Sequence, residues 1–221
     1  MAGSGLAGGQ SKMGTISTQE YIAKKYSLNQ MGAGPVSINI GRLELASLFS
    51  ELGFTEGVEI GTEQGLYAET LCKANPNLHL YCVDPWRVYD NNLGYHPAIT
   101  EQQVDSFYKE AVEKLRPYNT TIIKKLSMEA VVQFPDDSLD FVYIDGNHRL
   151  EYVVNDLVEW TKKVRPGGIV SGHDYIQYKY QHYSHVVEAL KAYHESYRRG
   201  LPLFVLESRR GHKYRSWFFI K

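Results

Sequence analysis

Five apolar runs in this 221-residue chain each end in a polar cluster. "VEIGTEQG" sets Glu59 and Glu63 around Gly61 and Gly65, and "LYCVD" ends in Asp84. "TTIIKKL" leads to Ser127, "FVYIDGNH" brings Asp145, Asn147 and His148 together, and "GIVSGHDY" ends in His173 and Asp174. Any one of these could be a turn or a helix cap, where Asp is common. Five in succession describe one crowded cleft. Gly61 and Gly65 allow close approach to the backbone, and a helix starting near Leu66 would aim free N–H groups at a carboxylate. A pyrophosphate would meet Glu59 and Glu63, and the turn lacks the G-x-G-x-x-G spacing of a dinucleotide site. The acids suit a ligand with an ammonium or a sulfonium. Asp84, about twenty residues further on, can accept both hydroxyls of a ribose. The ligand inferred is a nucleoside with an amino-acid tail.

The elements that must position these residues alternate. Apolar runs at 57–61, 78–84, 120–126, 140–145 and 167–172 are separated by helical stretches at 66–74, 101–115 and 149–163; another helical stretch, 184–199, follows. Strand–helix alternation implies a mainly parallel sheet with helices on both faces. The last two runs, "LFVLES" and "YRSWFFI", are separated only by "RRGHK", too short for a parallel crossover, so they form an antiparallel hairpin. Before the sheet, residues 15–56 read as a helical N-terminal cap, its stronger helix in "RLELASLFSELG". The aromatic segment 86–100 has the length and composition of a lid over a binding site. Residues 1–14 are Gly/Ser-rich without an apolar core, a flexible tail or cloning scar rather than a signal peptide. The expected organisation is one domain over residues 15–221.

The formal net charge of −1 gives no field favouring nucleic acid or an anionic membrane. No apolar run approaches the roughly 18 residues needed to span a bilayer. Cys72 and Cys82 form no CxxC pair and read as small buried thiols; with no disulfide framework, the expected compartment is a reducing cytoplasm.

"VEIGTEQG" resembles the E/D-x-G-x-x-x-G motif of class I S-adenosylmethionine-dependent methyltransferases, and "YCVDPW" resembles their acidic second-strand motif. "LDFVYIDGNHRLEYVVNDLVEWTKKVRPGGIVSGHDY" is similar to the fourth-to-fifth strand region of small-molecule O-methyltransferases of the macrocin and caffeoyl-CoA types. The resemblance runs from about Leu43 to Lys221. It implies a Rossmann-like α/β fold with a seven-stranded sheet whose seventh strand is antiparallel, and S-adenosylmethionine in the cleft. It also implies that Gly61, Thr62 and Gly65 line the methionine part, with Glu59 meeting the amino group through water. Asp84 would bind the ribose, Trp86 would cover ribose or adenine, Ser127 and Met128 would flank the adenine, and Asp145 would complete the cofactor site. Asn147 stands where relatives commonly carry a second acid.

Methylating a hydroxyl requires removal of its proton, and histidine titrates in the right range. Macrocin-type relatives use the histidine of a D-x-x-H motif, which is His148 here, beside Asp145. Asp145 and Asp174 end neighbouring strands and could hold Mg²⁺, a hard cation that prefers oxygen ligands, although Tyr175 stands where metal-dependent relatives have Asp or Asn. His173 reads as a structural hydrogen-bonding group, and Asp156 is assigned no chemistry. The expected function is O-methylation of a small hydroxylated acceptor, and a homo-oligomer is compatible with the chain. The alternatives are a non-catalytic S-adenosylmethionine- or nucleoside-binding module, and an RNA methyltransferase using the basic stretch "RRGHKYR". An NAD-type dehydrogenase is disfavoured by the acidic loop.

Overall fold

The computed structural model describes residues 16–28, 32, 34–88, 99–176, 184–207 and 214–221. The expected tail, most of the expected lid (89–98) and the tip of the last hairpin lie outside these residues. Among the described residues, eight strands form one sheet: β1 (Gly34–Ile38), β2 (Glu56–Ile60), β3 (His79–Val83), β4 (Thr120–Ile123), β5 (Leu139–Ile144), β6 (Val164–Gly172), β7 (Pro202–Leu206) and β8 (Trp217–Ile220). Their spatial order is β1-β7-β8-β6-β5-β2-β3-β4. Every pairing is parallel except those of β8, which is antiparallel to both β6 and β7. The mainly parallel Rossmann-like sheet and its antiparallel last strand are as the sequence implies.

The N-terminal segment departs from expectation. Helices α1 (Thr18–Lys25) and α2 (Arg42–Glu51) form, but β1 lies between them and extends the sheet to an eighth strand beside β7. "GPVSI" hides this because Gly34 and Pro35 are poor strand residues. An edge strand tolerates them, since its outer side needs no hydrogen-bond donor.

Residues alternate across β5. Phe141 and Tyr143 face one layer with α1, α2 and α3 (Leu66–Ala74), while Val142 and Ile144 face α5 (Ser127–Ala130), α6 (Leu150–Lys163) and α7 (Val186–Tyr197). Burial on both faces explains why the strands read as continuous apolar runs. α4 (Glu101–Leu115) packs through Val104 and Ala111 near Trp86. Both cysteines are buried and unpaired by disulfide.

Phe141 anchors the strand that ends at Asp145. Its ring is fully buried, stacks on Phe49 at 4.2 Å, and lies over its cross-strand partner Gly57, where a Cβ would come within 2.2 Å of the ring. Phe141→Ala should cost about 3–5 kcal/mol of unfolding free energy, as for other large core truncations. Urea denaturation measures it, and a loss below about 1 kcal/mol would contradict this packing.

Candidate functional site

The parallel register brings five strand ends to one level. Ile123, Val83, Ile60, Ile144 and Gly172 stand abreast on β4, β3, β2, β5 and β6. The ladder continues one residue further: Asp84 N–H donates to Ile123 O (3.2 Å), Gly61 N–H to Val83 O (2.8 Å), Asp145 N–H to Ile60 O (2.8 Å) and His173 N–H to Ile144 O (3.1 Å). The residues after the strands therefore form a row along the carboxyl edge, where open α/β sheets bind ligands. Gly61 has φ +87°, and a Cβ there would lie 2.2 Å from Asp145 O. Glycine is thus required by the contact between two loops as well as by any ligand.

A cavity of about 430 Å³ opens over this row, within the usual range of small-molecule sites. Gly61, Asp84, Trp86, Ser127, Met128, Asp145 and His148 line it. Both flanks of the aromatic segment also line it, through Trp86, Arg87, Val88 and Ile99. Glu59, Thr62, Gly65 and Asp174 are not part of the cavity wall. Gly65 instead starts α3 with φ 72° and backs onto Leu115 of α4.

Asp84 fixes the loops on either side of it. One carboxylate oxygen accepts Glu63 N–H (2.9 Å), the other Trp86 N–H (2.7 Å). Burial pushes its carboxyl up, and these two donors act against that push. Trp86, in the left-handed region at φ 39°, closes the arrangement by donating its indole N–H to Glu63 O (2.8 Å). Asn147 accepts Arg149 N–H at its side-chain oxygen (3.0 Å) and so shapes the turn into α6.

His148 spans two carboxylates: Nδ1 is 3.1 Å from Asp174 and Nε2 is 3.4 Å from Asp145. Burial would lower the imidazole pKa, but Asp145 and Asp174 outweigh it and raise it. Burial pushes Asp145 up, and His148, His173 and Arg42 together hold it below the usual carboxylate range. Arg42 was not anticipated. It opens α2, lies 3.7 Å from Asp145, and sits over the rings of Tyr67 (4.0 Å) and Tyr143 (5.7 Å). His173 has the structural bond expected of it, Nδ1 to Ser216 Oγ at 3.0 Å, and Ser216 also meets the Tyr143 hydroxyl at 3.0 Å.

The interval between Asp145 and Asp174 fits an imidazole rather than Mg²⁺. The ring fills it, and among the described residues no group of three or more His, Cys, Asp or Glu side chains could hold a metal. Asp156, given no chemistry from sequence, is buried in the cavity wall. Helical spacing could have placed it: Val153, Asp156, Leu157 and Trp160 share the buried face of α6.

A nucleoside with a cationic amino-acid tail fits what is present. Among the described residues, four carboxyl side chains, Glu63, Asp84, Asp145 and Asp156, line the cavity together with Arg87 and His148. Beneath the turn, Glu59 is 2% exposed and its Oε2 has no hydrogen-bond partner among the described residues.

Residues 58–175, more than half of the chain, match the family model described as "Methyltransferase domain". The chain belongs to this methyltransferase family. Two curated relatives are themselves uncharacterized. Protein y4gI of Sinorhizobium fredii is 26% identical over 121 residues, which are 53% of this chain and 13% of that protein. Protein R132 of Acanthamoeba polyphaga mimivirus is 27% identical over 167 residues, covering 72% of this chain and 69% of that protein. Solved structures share the fold. The O-methyltransferase TomG from Streptomyces achromogenes, in complex with SAM, has a TM-score of 0.58 at 15% identity over 90% of this chain and 86% of its own. An O-methyltransferase from Bacillus cereus, in complex with SAH, has a TM-score of 0.57 at 15% identity over 96% of this chain and 94% of its own. No helix of the described residues is long and apolar enough to cross a membrane.

Burial pushes the Glu59 carboxyl up to about 8. The folded state therefore holds this proton at pH values where the unfolded chain has released it, and stability falls as pH rises toward 8. The ligand-free Glu59→Gln variant should be more stable than wild type by about 1–3 kcal/mol at pH 8, with the gap shrinking toward pH 5. Urea melts at the two pH values measure this. A gap independent of pH, or a less stable variant at pH 8, would contradict the burial of an unpaired acid.

Proposed function

We propose that this chain transfers a methyl group from S-adenosylmethionine to a hydroxyl of a small molecule, with His148 as general base. The observation that carries the reading is the cavity's charge: among the described residues its four carboxyl groups outnumber Arg87 and His148, which disfavours a pyrophosphate and suits a cationic nucleoside. The solved neighbours captured with SAM and SAH support it.

The cofactor, when bound, supplies a methyl group activated by a sulfonium. The protein's part is positioning and proton removal. Asp84 keeps unused lone pairs on both oxygens after accepting two backbone N–H groups, and these face a ribose diol. Asp145, held ionised by its cationic neighbours, places negative charge beside the sulfonium. His148 takes the acceptor's proton. Its two ring nitrogens face carboxylates, Nδ1 toward Asp174 and Nε2 toward Asp145, so the ring that takes up the proton is held between them. Asp174 and Asp145 then stabilise the imidazolium that forms. Arg42 limits how far Asp145 can follow the ring. The acceptor class is a small hydroxylated molecule such as a phenol, catechol or sugar.

Isothermal titration with S-adenosylhomocysteine should show saturable binding; no heat at high micromolar ligand would reject the cofactor assignment. On an acceptor found in such a panel, His148→Gln should lower turnover at least about 100-fold while leaving S-adenosylhomocysteine affinity in place. Near wild-type turnover would remove His148 from the mechanism.

A further inference from the structure

Asp156 is 4% exposed, yet it lines the ligand cavity. A fixed relay points at it. The fully buried Trp160 donates its indole N–H to Ser127 Oγ (2.8 Å), and the Ser127 hydroxyl donates in turn to Asp156 Oδ1. Among the described residues no other group donates a hydrogen bond to Asp156, so Oδ2 is left without a donor. A buried carboxyl with one donor is undersatisfied, and a ligand N–H in the cavity would complete it. Burial accordingly pushes its carboxyl up to about 7, against the opposing pull of Ser127 and His148.

The order of groups along the sheet edge says which part of the ligand reaches it. This step rests on the proposed cofactor. The reacting sulfonium belongs beside Asp145 and His148, after β5. The ribose belongs at Asp84, after β3. A ribose lies between its tail and its base, so the base extends past Asp84 toward β4. There the wall is Leu126, Ser127, Met128 and Asp156. Adenine offers one strong donor pair, its exocyclic amine, and hypoxanthine carries an acceptor oxygen in the same place.

We propose that Asp156, held by Ser127 and Trp160, is the residue that selects adenine, its Oδ2 accepting a hydrogen bond from the exocyclic amine. The Trp160–Ser127 relay keeps Oδ1 occupied and turns the carboxylate's other oxygen to the base. Above pH 8, where the Asp156 carboxyl is ionised, a hypoxanthine oxygen would meet that oxygen acceptor to acceptor, leaving both unpaired.

Calorimetry at pH 8.5 with S-adenosylhomocysteine and S-inosylhomocysteine tests this on the unaltered protein, with Asp156 ionised, and needs no methyl acceptor. Wild type should bind the adenine ligand at least about tenfold more tightly than the hypoxanthine ligand. Asp156→Asn, whose amide can donate to the hypoxanthine oxygen, should weaken S-adenosylhomocysteine by about tenfold and erase or invert the preference. Equal wild-type affinities would overturn the proposal, whether or not the variant folds. So would an Asp156→Asn protein that binds S-adenosylhomocysteine within about twofold of wild type and keeps the preference, and in either case the cofactor assignment would stand. If wild type bound neither ligand, the cofactor assignment would fail and this proposal with it.

Discussion

Backbone hydrogen bonds that run one residue past the strand ends set the level of every group at the site. Because β4, β3, β2, β5 and β6 are parallel and in register, the residues following them emerge side by side. A slip of one residue in β5 would turn Asp145 from the row and send Val142 and Ile144 to the wrong face. The register is held from both layers, by Phe141 packed on Phe49 and by Val142 and Ile144 under α6. The close approach of Gly61 to Asp145 O is the tightest consequence, and glycine meets it without strain.

Placing so many acids on one sheet edge creates a problem of charge, and the structure answers it differently at each position. Asp84 is met by two backbone donors. Asp145 and Asp174 share the His148 imidazole, with Arg42 reaching Asp145 from α2. Asp156 has one hydroxyl donor, and Glu59 is shut beneath the turn with an unpartnered oxygen. The least satisfied of these groups, Glu59 and Asp156, are the ones whose carboxyls burial pushes furthest toward neutrality, to about 8 and about 7. A cationic nucleoside entering this cavity would supply what the chain does not.

The sheet was legible because fully buried parallel strands leave unbroken apolar runs, and because "RRGHK" is too short for anything but a hairpin. The row of polar residues was legible for the same reason: each sits at the end of a run. β1 was not, since Gly34 and Pro35 mask an edge strand. Arg42 was not, since its partner Asp145 and the rings beneath it come from distant parts of the chain. Asp156 lies between these cases. Its helical spacing could have shown a buried face, but only the fold brings Ser127 against it. Glu59, Thr62 and Gly65 sit close in sequence to the cavity-lining Gly61 but are not on the wall.

We propose that this cavity seats S-adenosylmethionine along the row of strand ends, with its reacting centre at His148. A crystal structure with S-adenosylhomocysteine measures that directly. Both ribose hydroxyls should lie within hydrogen-bonding distance of the Asp84 carboxylate, with the thioether sulfur on the Asp145 and His148 side of it. A ligand bound outside this cavity, or one whose sulfur lies on the Ser127 side of Asp84, would contradict it.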